Sequence, residues 1–277
     1  MSIPEVRPNP SAWSDVDRSA DTAAFAAYLD TVRALDAINA YKAGSIELMR
    51  LEPGQTALDV GCGTGDDAKR IADRVGEGGA VLGIDFSAAM VEECTRRWAD
   101  SAVPLRFAVG DVHALDLPTG RFDAARADRM FQHLAEPRVA LAELVRVTRP
   151  GGRVVVSDPD WGTYIMDAPP TPAVMRYLEY ARGQARNPWI GRQLYGLFHE
   201  AGLTELELAA HVIYFLDYGV LEKMGNLDAG FVAAVAAGQM TEGDVAEVKA
   251  ELQARQAAGR FLTTVNVMTV AGTVPRR

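Results

Sequence analysis

Leu58-Asp59-Val60-Gly61-Cys62-Gly63-Thr64-Gly65 is the stretch on which the reading of this chain turns. Residues 56–60 have strand composition, the glycines make a turn, and residues 66–74 are compatible with a helix. A glycine-rich motif carries meaning only in that strand–turn–helix setting. Glycine accepts positive φ and, lacking a Cβ, lets a ligand lie against the backbone. Asp59 then narrows the ligand. A pyrophosphate is welcome over such a loop and helix N-terminus, but a carboxylate at the strand end repels it and suits an ammonium or sulfonium. The spacing is GxGxG, with no third glycine in the GxGxxG position.

Outward from this loop, strand and helix signals alternate. Residues 80–84 read as a strand followed by Asp85 and a helix over 87–98. Residues 105–109 form the next strand, ending in Gly110-Asp111, and 122–126 a fourth, with its helix over 138–149. Pro150-Gly151-Gly152 is a turn, and the β-branched run in 153–157 is a buried strand. Such alternation implies a parallel sheet with helices on both faces, whose ligands sit at the carboxyl ends of the strands. Asp59, Asp85, Asp111 and Asp128 all fall at or just past such ends. Each alone has a second reading as a helix N-cap.

Upstream, 1–10 is a proline-rich arm, and residues 15–50 turn helical, with Phe25, Tyr28, Leu29, Val32, Leu35 and Ile38 at steps of three and four. Downstream, residues 205–215 read as a strand, 217–260 as alanine-rich helix, and 261–271 as a long strand of high β propensity. The expected organisation is an N-terminal arm and helical cap over 1–50 and a nucleoside-binding core over 51–216. A helical lid over 217–260 is inserted before the last strand and tail, 261–277.

The chain has 277 residues, net charge −9 and an ordinary balance of 48% hydrophobic and 23% charged residues. Its acidity argues against nucleic acid as a partner, because such affinity rests on neutralising phosphates. Two cysteines, Cys62 and Cys94, form no disulfide framework and no metal-ligand spacing, so no metal is expected. There is no signal peptide and no apolar run near the length of a membrane span, which makes cytoplasmic the default location.

S-adenosylmethionine is the cationic nucleoside that fits the GxGxG spacing and the Asp59 carboxylate together. The chain also resembles the class I S-adenosylmethionine-dependent methyltransferases, in the broad group that includes ubiquinone-biosynthesis-type and natural-product enzymes. Residues 58–65 are similar to that family's first motif and Gly83-Ile-Asp-Phe-Ser-Ala-Ala-Met90 to its second. Gly110-Asp-Val-His-Ala-Leu-Asp-Leu-Pro118 resembles the third, residues 122–134 the fourth, and Arg149-Pro-Gly-Gly-Arg-Val-Val-Val156 the fifth. The segments run in order over residues 50–160. The resemblance implies a Rossmann-like α/β fold: a seven-stranded, mostly parallel sheet with helices on both faces, N-terminal helices and a helical lid.

It also implies roles. Asp59 and the loop Gly61, Cys62, Gly63, Thr64 and Gly65 would hold the methionine end of the cofactor, Cys62 serving as a small residue. Asp85 would accept both ribose hydroxyls, Phe86 and Met90 would flank the adenine, and Gly110, Asp111 and Val112 would meet its edge. Asp111 has a second reading as a turn cap. Asp128 and Arg129 fall near the methionine moiety, where the family more often has small residues. Arg129 either pairs the cofactor carboxylate or forms a salt bridge with Asp128.

Methyl transfer needs chiefly a nucleophile held in line, with a base when that nucleophile is a hydroxyl or an acidic carbon. His133 is the candidate base, against a second reading as a histidine satisfying backbone groups at a helix start. Trp161, Tyr164, Trp189, Tyr214 and Met224 are the candidate substrate wall, suited to a bulky apolar ligand or, equally, to packing the lid. The expected activity is methylation of a small, largely apolar molecule, a secondary metabolite or quinone-like compound, with O-methylation slightly favoured, by a monomer or homodimer. The rivals are a protein or RNA methyltransferase, a non-methylating cyclisation or elimination, and a binder of the cofactor without catalysis.

Overall fold

In the computed structural model, residues 16–18, 22–225 and 227–276 are described. The proline-rich arm expected over 1–10 lies outside them, as does the side chain of Met224. Two helices, α1 (Thr22–Arg33) and α2 (Asp36–Glu47), precede β1 (Thr56–Val60), α3 (Asp66–Val75), β2 (Ala80–Asp85) and α4 (Ala88–Arg97). Next come β3 (Leu105–Val109), β4 (Phe122–Asp128), α5 (Pro137–Val147) and β5 (Thr148–Met166). The chain ends with α6 (Pro172–Arg182), α7 (Ile190–Glu200), β6 (Thr204–Phe215), α8 (Tyr218–Gly225), α9 (Leu227–Ala236), α10 (Glu242–Ala257) and β7 (Thr263–Thr273).

The strands form one seven-stranded sheet in the order β3-β2-β1-β4-β5-β7-β6. β1 to β5 pair in parallel, and β7 runs antiparallel between β5 and β6. This is the Rossmann-like α/β architecture expected from the motifs. The chain moves outward from β1 through β2 to β3, then returns to lay β4 on β1's other side. That reversal opens a crevice beyond the carboxyl ends of β1 and β4, where ligands of open α/β sheets bind.

Local sequence explains these elements. α3 starts at Gly65, in the left-handed region at φ 77, and buries Ala68, Ile71, Ala72 and Val75, the spacing of one helical stripe. Ile71 and Val75 are fully buried against the sheet, each worth about 1.5–3 kcal/mol of apolar transfer. Val154, Val155 and Val156 of β5 are likewise buried on both faces, as central parallel strands require.

β5 extends well past the expected 153–157. Its distal half, through Met166, pairs with the start of β7, with a register shift between Asp160 and Ile165. The extension carries a helical layer that includes the expected lid segment 217–260. Met166, Tyr177, Leu221, Phe231, Val248 and Phe261 make a separate apolar cluster from β5, α6, α8, α9 and α10. α6, which was not expected, therefore joins the helices of 217–260. No helix among the described residues is long and apolar enough to cross a membrane.

Candidate functional site

The glycine loop crosses the β1 end of the crevice. Gly61, Gly63 and Gly65 all have positive φ, at 70°, 53° and 77°. Space forbids a side chain as well: a Cβ on Gly65 would stand 2.7 Å from the Phe107 ring and 2.9 Å from Cys94 Cβ. Cys62 and Thr64 point inward and are buried, and Thr64 Oγ1 donates to Asp66 Oδ2 at 2.7 Å. α1 roofs the loop, with Leu29 set against Gly63. Arg97 bridges Asp30 of α1 and Asp66 of α3, at 2.7 and 3.4 Å.

Asp85, the last residue of β2, ties this loop to the next helix. One carboxylate oxygen accepts from Gly63 N–H at 2.8 Å and the other from Ser87 N–H at 3.0 Å. Each oxygen has more than one lone pair and so retains acceptor capacity. Burial pushes the Asp85 carboxyl above its ordinary range, opposed by these N–H groups. Phe86 beside it is 65% exposed, an open apolar face at the crevice mouth. Met90 is instead buried beneath Val16 and Phe25, because Asp17 accepts from Ala88 and Ala89 N–H and seats the N-terminal segment on α4. Met90 thus supports this wall from behind.

On the far side of the loop, Gly110 N–H donates to the Asp85 carbonyl at 3.0 Å. Asp111 is half exposed and takes the His113 backbone N–H at 2.9 Å and its ring Nδ1 at 2.6 Å. Those bonds hold its carboxyl below the usual range. The Val112 side chain belongs to the core, while its backbone N–H has no acceptor among the described residues.

Asp59 differs most from expectation. Its side chain is turned inward from the loop mouth and is 3% exposed, with Oδ1 3.1 Å from Arg126 Nη1. Asp59 and Arg126 are register partners across β1 and β4. Arg126, 1% exposed, also reaches Ser45 Oγ at 3.0 Å, Asp67 at 3.3 Å and Asp128 at 3.6 Å. Lys42 of α2 pairs with Asp67 and, at 2.6 Å, with Asp128, and Tyr41 O–H donates to Asp128 at 3.3 Å. With Arg129, and with Arg70 3.8 Å from Asp67, every carboxylate beneath the crevice has a cation beside it, the condition for keeping charge buried at tolerable cost. Desolvation pushes the Asp59 carboxyl up to about 6 despite Arg126. Asp67 resists the same burial because Lys42 and Arg126 outweigh it, and its carboxyl stays well below the ordinary range.

Three atoms of this region are left over, Arg126 Nη2 among them, which has ion-pair contacts but no hydrogen bond. Asp128 Oδ1 and Arg129 Nε are buried without a hydrogen-bond partner in the described structure. Arg129 has φ 52 and lies 3.8 Å from Asp128, too long for a hydrogen bond. Its guanidinium makes no other ion pair within 4 Å among the described residues.

Arg129 opens the loop that carries His133, in a 3-10 turn over Phe131–His133. The buried Asp158 carboxylate, at the parallel end of β5, accepts Phe131 N–H at 2.9 Å and Gln132 N–H at 3.2 Å. The His133 ring has no hydrogen-bond partner among the described residues. Burial, with the neighbouring Arg129 charge, lowers its pKa to about 4, so the ring is neutral at physiological pH.

The candidate substrate residues separate. Trp161 and Tyr164 meet edge to face at 6.1 Å on the β5 extension, and Trp161 Nε1–H donates to Gln132 Oε1 at 2.8 Å. Trp189 has the guanidiniums of Arg192 and Arg182 over its ring, at 4.9 and 5.2 Å, and packs against Gly162. Its ring is thus engaged by two guanidiniums and is still 38% exposed. Tyr214 lies on β6, the outer strand of the sheet, and is 53% exposed. The structure does not bring it to the crevice. Lys42, Arg126, Gln132 and Asp158 were missed by the motif reading, since each is defined by partners far away in the chain.

Comparison with known proteins agrees with this geometry. Residues 57–152 match the family model for the methyltransferase domain. The chain is 37% identical over 214 residues to an uncharacterized 37.1 kDa protein in transposon TN4556 of Streptomyces fradiae, covering 77% of this chain and 62% of that one. It is 34% identical over 127 residues to a demethylmenaquinone methyltransferase of Beutenbergia cavernae, covering 45% of this chain and 50% of the relative. The chain thus spans less than two thirds of the length of these curated relatives. Among solved structures, the Haemonchus contortus phosphoethanolamine N-methyltransferase 2 in complex with S-adenosyl-L-methionine superposes with TM-score 0.60 at 18% identity, covering 98% of this chain and 61% of that one. The glycine loop, the sheet order and these likenesses identify residues 57–152 as a methyltransferase domain of the class I S-adenosylmethionine-dependent type.

Proposed function

We propose that the crevice binds S-adenosylmethionine and that the protein methylates a small, largely apolar molecule with a phenol- or hydroquinone-like hydroxyl. The observation that carries the first part is Asp85, whose carboxylate bridges the glycine loop and α4 while keeping acceptor capacity for two ribose hydroxyls. The remaining groups fit the same ligand. Val112 N–H is free for the adenine edge, Asp128 Oδ1 for an ammonium, and the Arg129 guanidinium for a carboxylate. Asp59 serves this site indirectly, by holding Arg126 under the floor rather than by meeting the ligand.

When bound, the cofactor supplies a methyl group on a sulfonium, already activated for displacement. The protein's part is then to seat the acceptor in line and accept its proton. His133 is neutral and unpartnered, so it has a lone pair to offer. With its pKa near 4 it is too weak a base for an aliphatic alcohol. A phenolic hydroxyl, with a pKa of about 10, is the less demanding acceptor, and its proton need leave only as the bond to the methyl forms. Trp161 and Tyr164 form the apolar side of the acceptor cleft, under the lid built on α6, α8, α9 and α10.

The test is incubation with methyl-labelled S-adenosylmethionine and a panel of phenols, hydroquinones, amines and carbon acids. Label in a phenolic or hydroquinone ether supports the reading. Label only in amines removes the role of His133 as base, and label only in carbon acids overturns the hydroxyl acceptor. An unlabelled, rearranged product would instead show that the cofactor's charge serves another reaction.

A further inference from the structure

The geometry points to Gln132 as the positioning residue that holds the cofactor floor and the acceptor wall in one fixed relation. Gln132 is buried, and every hydrogen-bonding group it has except one side-chain N–H is engaged. Its backbone N–H donates to Asp158 Oδ1 at 3.2 Å, and its carbonyl accepts from Asn187 N–H at 2.9 Å. Its side chain then points two ways. Nε2 donates to the Arg129 carbonyl at 3.2 Å, and Oε1 accepts from Trp161 Nε1–H at 2.8 Å.

Each end of that link sits where orientation matters. Arg129 is a non-glycine residue at φ 52, a conformation that persists only when its surroundings enforce it. The Arg129 N–H is fixed by the Ser157 carbonyl at 2.7 Å, and Gln132 fixes the carbonyl side. Trp161 is fixed in turn, its backbone N–H donating to the Pro188 carbonyl at 2.9 Å and its indole to Gln132. Asn187 closes the frame by donating to the carbonyls of Phe131 and Leu134 at 3.0 and 2.7 Å. The turn bearing His133 is therefore clamped from β5 and from the segment before α7.

An amide is suited to this place because it donates and accepts from one planar group. A carboxylate has no donor for the Arg129 carbonyl, and an apolar side chain leaves that carbonyl and the indole N–H unpaired. The consequence is that a change at Trp161, which does not touch the cofactor in this arrangement, is transmitted to cofactor affinity through Gln132. This inference rests on the reading that Arg129 faces the cofactor.

The test is a double-mutant cycle of S-adenosylhomocysteine binding, by calorimetry, on the full chain with Trp161→Phe, Gln132→Met and both together. Trp161→Phe is expected to weaken binding by about threefold to tenfold, the effect of freeing one hydrogen-bonded partner. Gln132→Met is expected to weaken it at least as much, and the double variant to be no worse than Gln132→Met alone. Iodide quenching of Trp161, taken as the difference from Trp161→Phe, is expected to fall on ligand addition in the wild type and not in Gln132→Met. Unchanged affinity in Trp161→Phe, or additive losses, overturns the positioning role while leaving the cofactor site in place. Failure of the wild type to bind overturns both. Trp161→Phe breaks a single hydrogen bond, although it also shortens the ring, and it leaves Gln132 in place, so the cycle keeps an informative arm even if Gln132→Met does not fold.

Discussion

Arg126 Nη1 stands 3.1 Å from Asp59 Oδ1, joining β4 to β1 at the point where the sheet reverses direction, with both side chains at most 3% exposed. The pair is one edge of a larger ionic cluster, so removing its cation strands Asp59 and leaves Asp67 and Asp128 to Lys42. Arg126→Met is expected to cost about 3–5 kcal/mol, the usual penalty for an uncompensated buried charge. Urea unfolding reads it directly. Adding Asp59→Asn to that variant is expected to recover part of the loss, and wild-type stability in Arg126→Met would show that Lys42 alone suffices.

Asp85→Ala removes the carboxylate that bridges Gly63 and Ser87. Affinity for S-adenosylhomocysteine is expected to fall by at least about tenfold, from lost charge-assisted hydrogen bonds. Unchanged affinity by calorimetry would remove Asp85 from the ribose site.

Gly65→Ala places a Cβ 2.7 Å from Phe107 at a residue whose φ is 77. Strain and overpacking together are expected to cost about 2–4 kcal/mol. The melting temperature and ligand affinity should fall together, because the same residue begins α3 and shapes the loop. A variant as stable as the wild type would mean that Phe107 yields freely.

His133 supplies a pH signature. Its pKa is lowered from 6.5 to about 4 in the folded protein, so the unfolded chain binds more protons between those values. Stability present above pH 6.5 is lost as pH falls toward 4, by at most about 3 kcal/mol. Asp59, raised from 3.8 to about 6, contributes the opposite slope over much of the same range. The informative quantity is therefore the difference between wild type and His133→Gln. That variant is expected to lose less stability on acidification, and parallel melting curves would contradict the buried, neutral ring.

The parts legible in sequence are those whose determinants are local. Gly61 to Gly65 and Asp85 declare themselves because a strand, a turn and a helix start adjoin in the chain. Arg126 gave no such signal. Its partners Ser45 and Asp59 lie 81 and 67 residues away, so its strand reads as an ordinary one until α2 is packed beneath it. β6 was readable as a strand from its composition, but nothing in it shows that it takes the outer place in the sheet, which carries Tyr214 away from the crevice. Met90 likewise has the right motif position, and its burial depends on Val16 and Phe25, far upstream. β5 outran its expected end because its distal half is held by β7, the last strand of the chain.

The most direct measurement is calorimetric titration of the purified chain with S-adenosylmethionine and, separately, with NAD. The site described here predicts saturable one-to-one binding of S-adenosylmethionine, lost in Asp85→Ala, and no binding of the dinucleotide. Binding of NAD in preference, or no binding of S-adenosylmethionine, would contradict it.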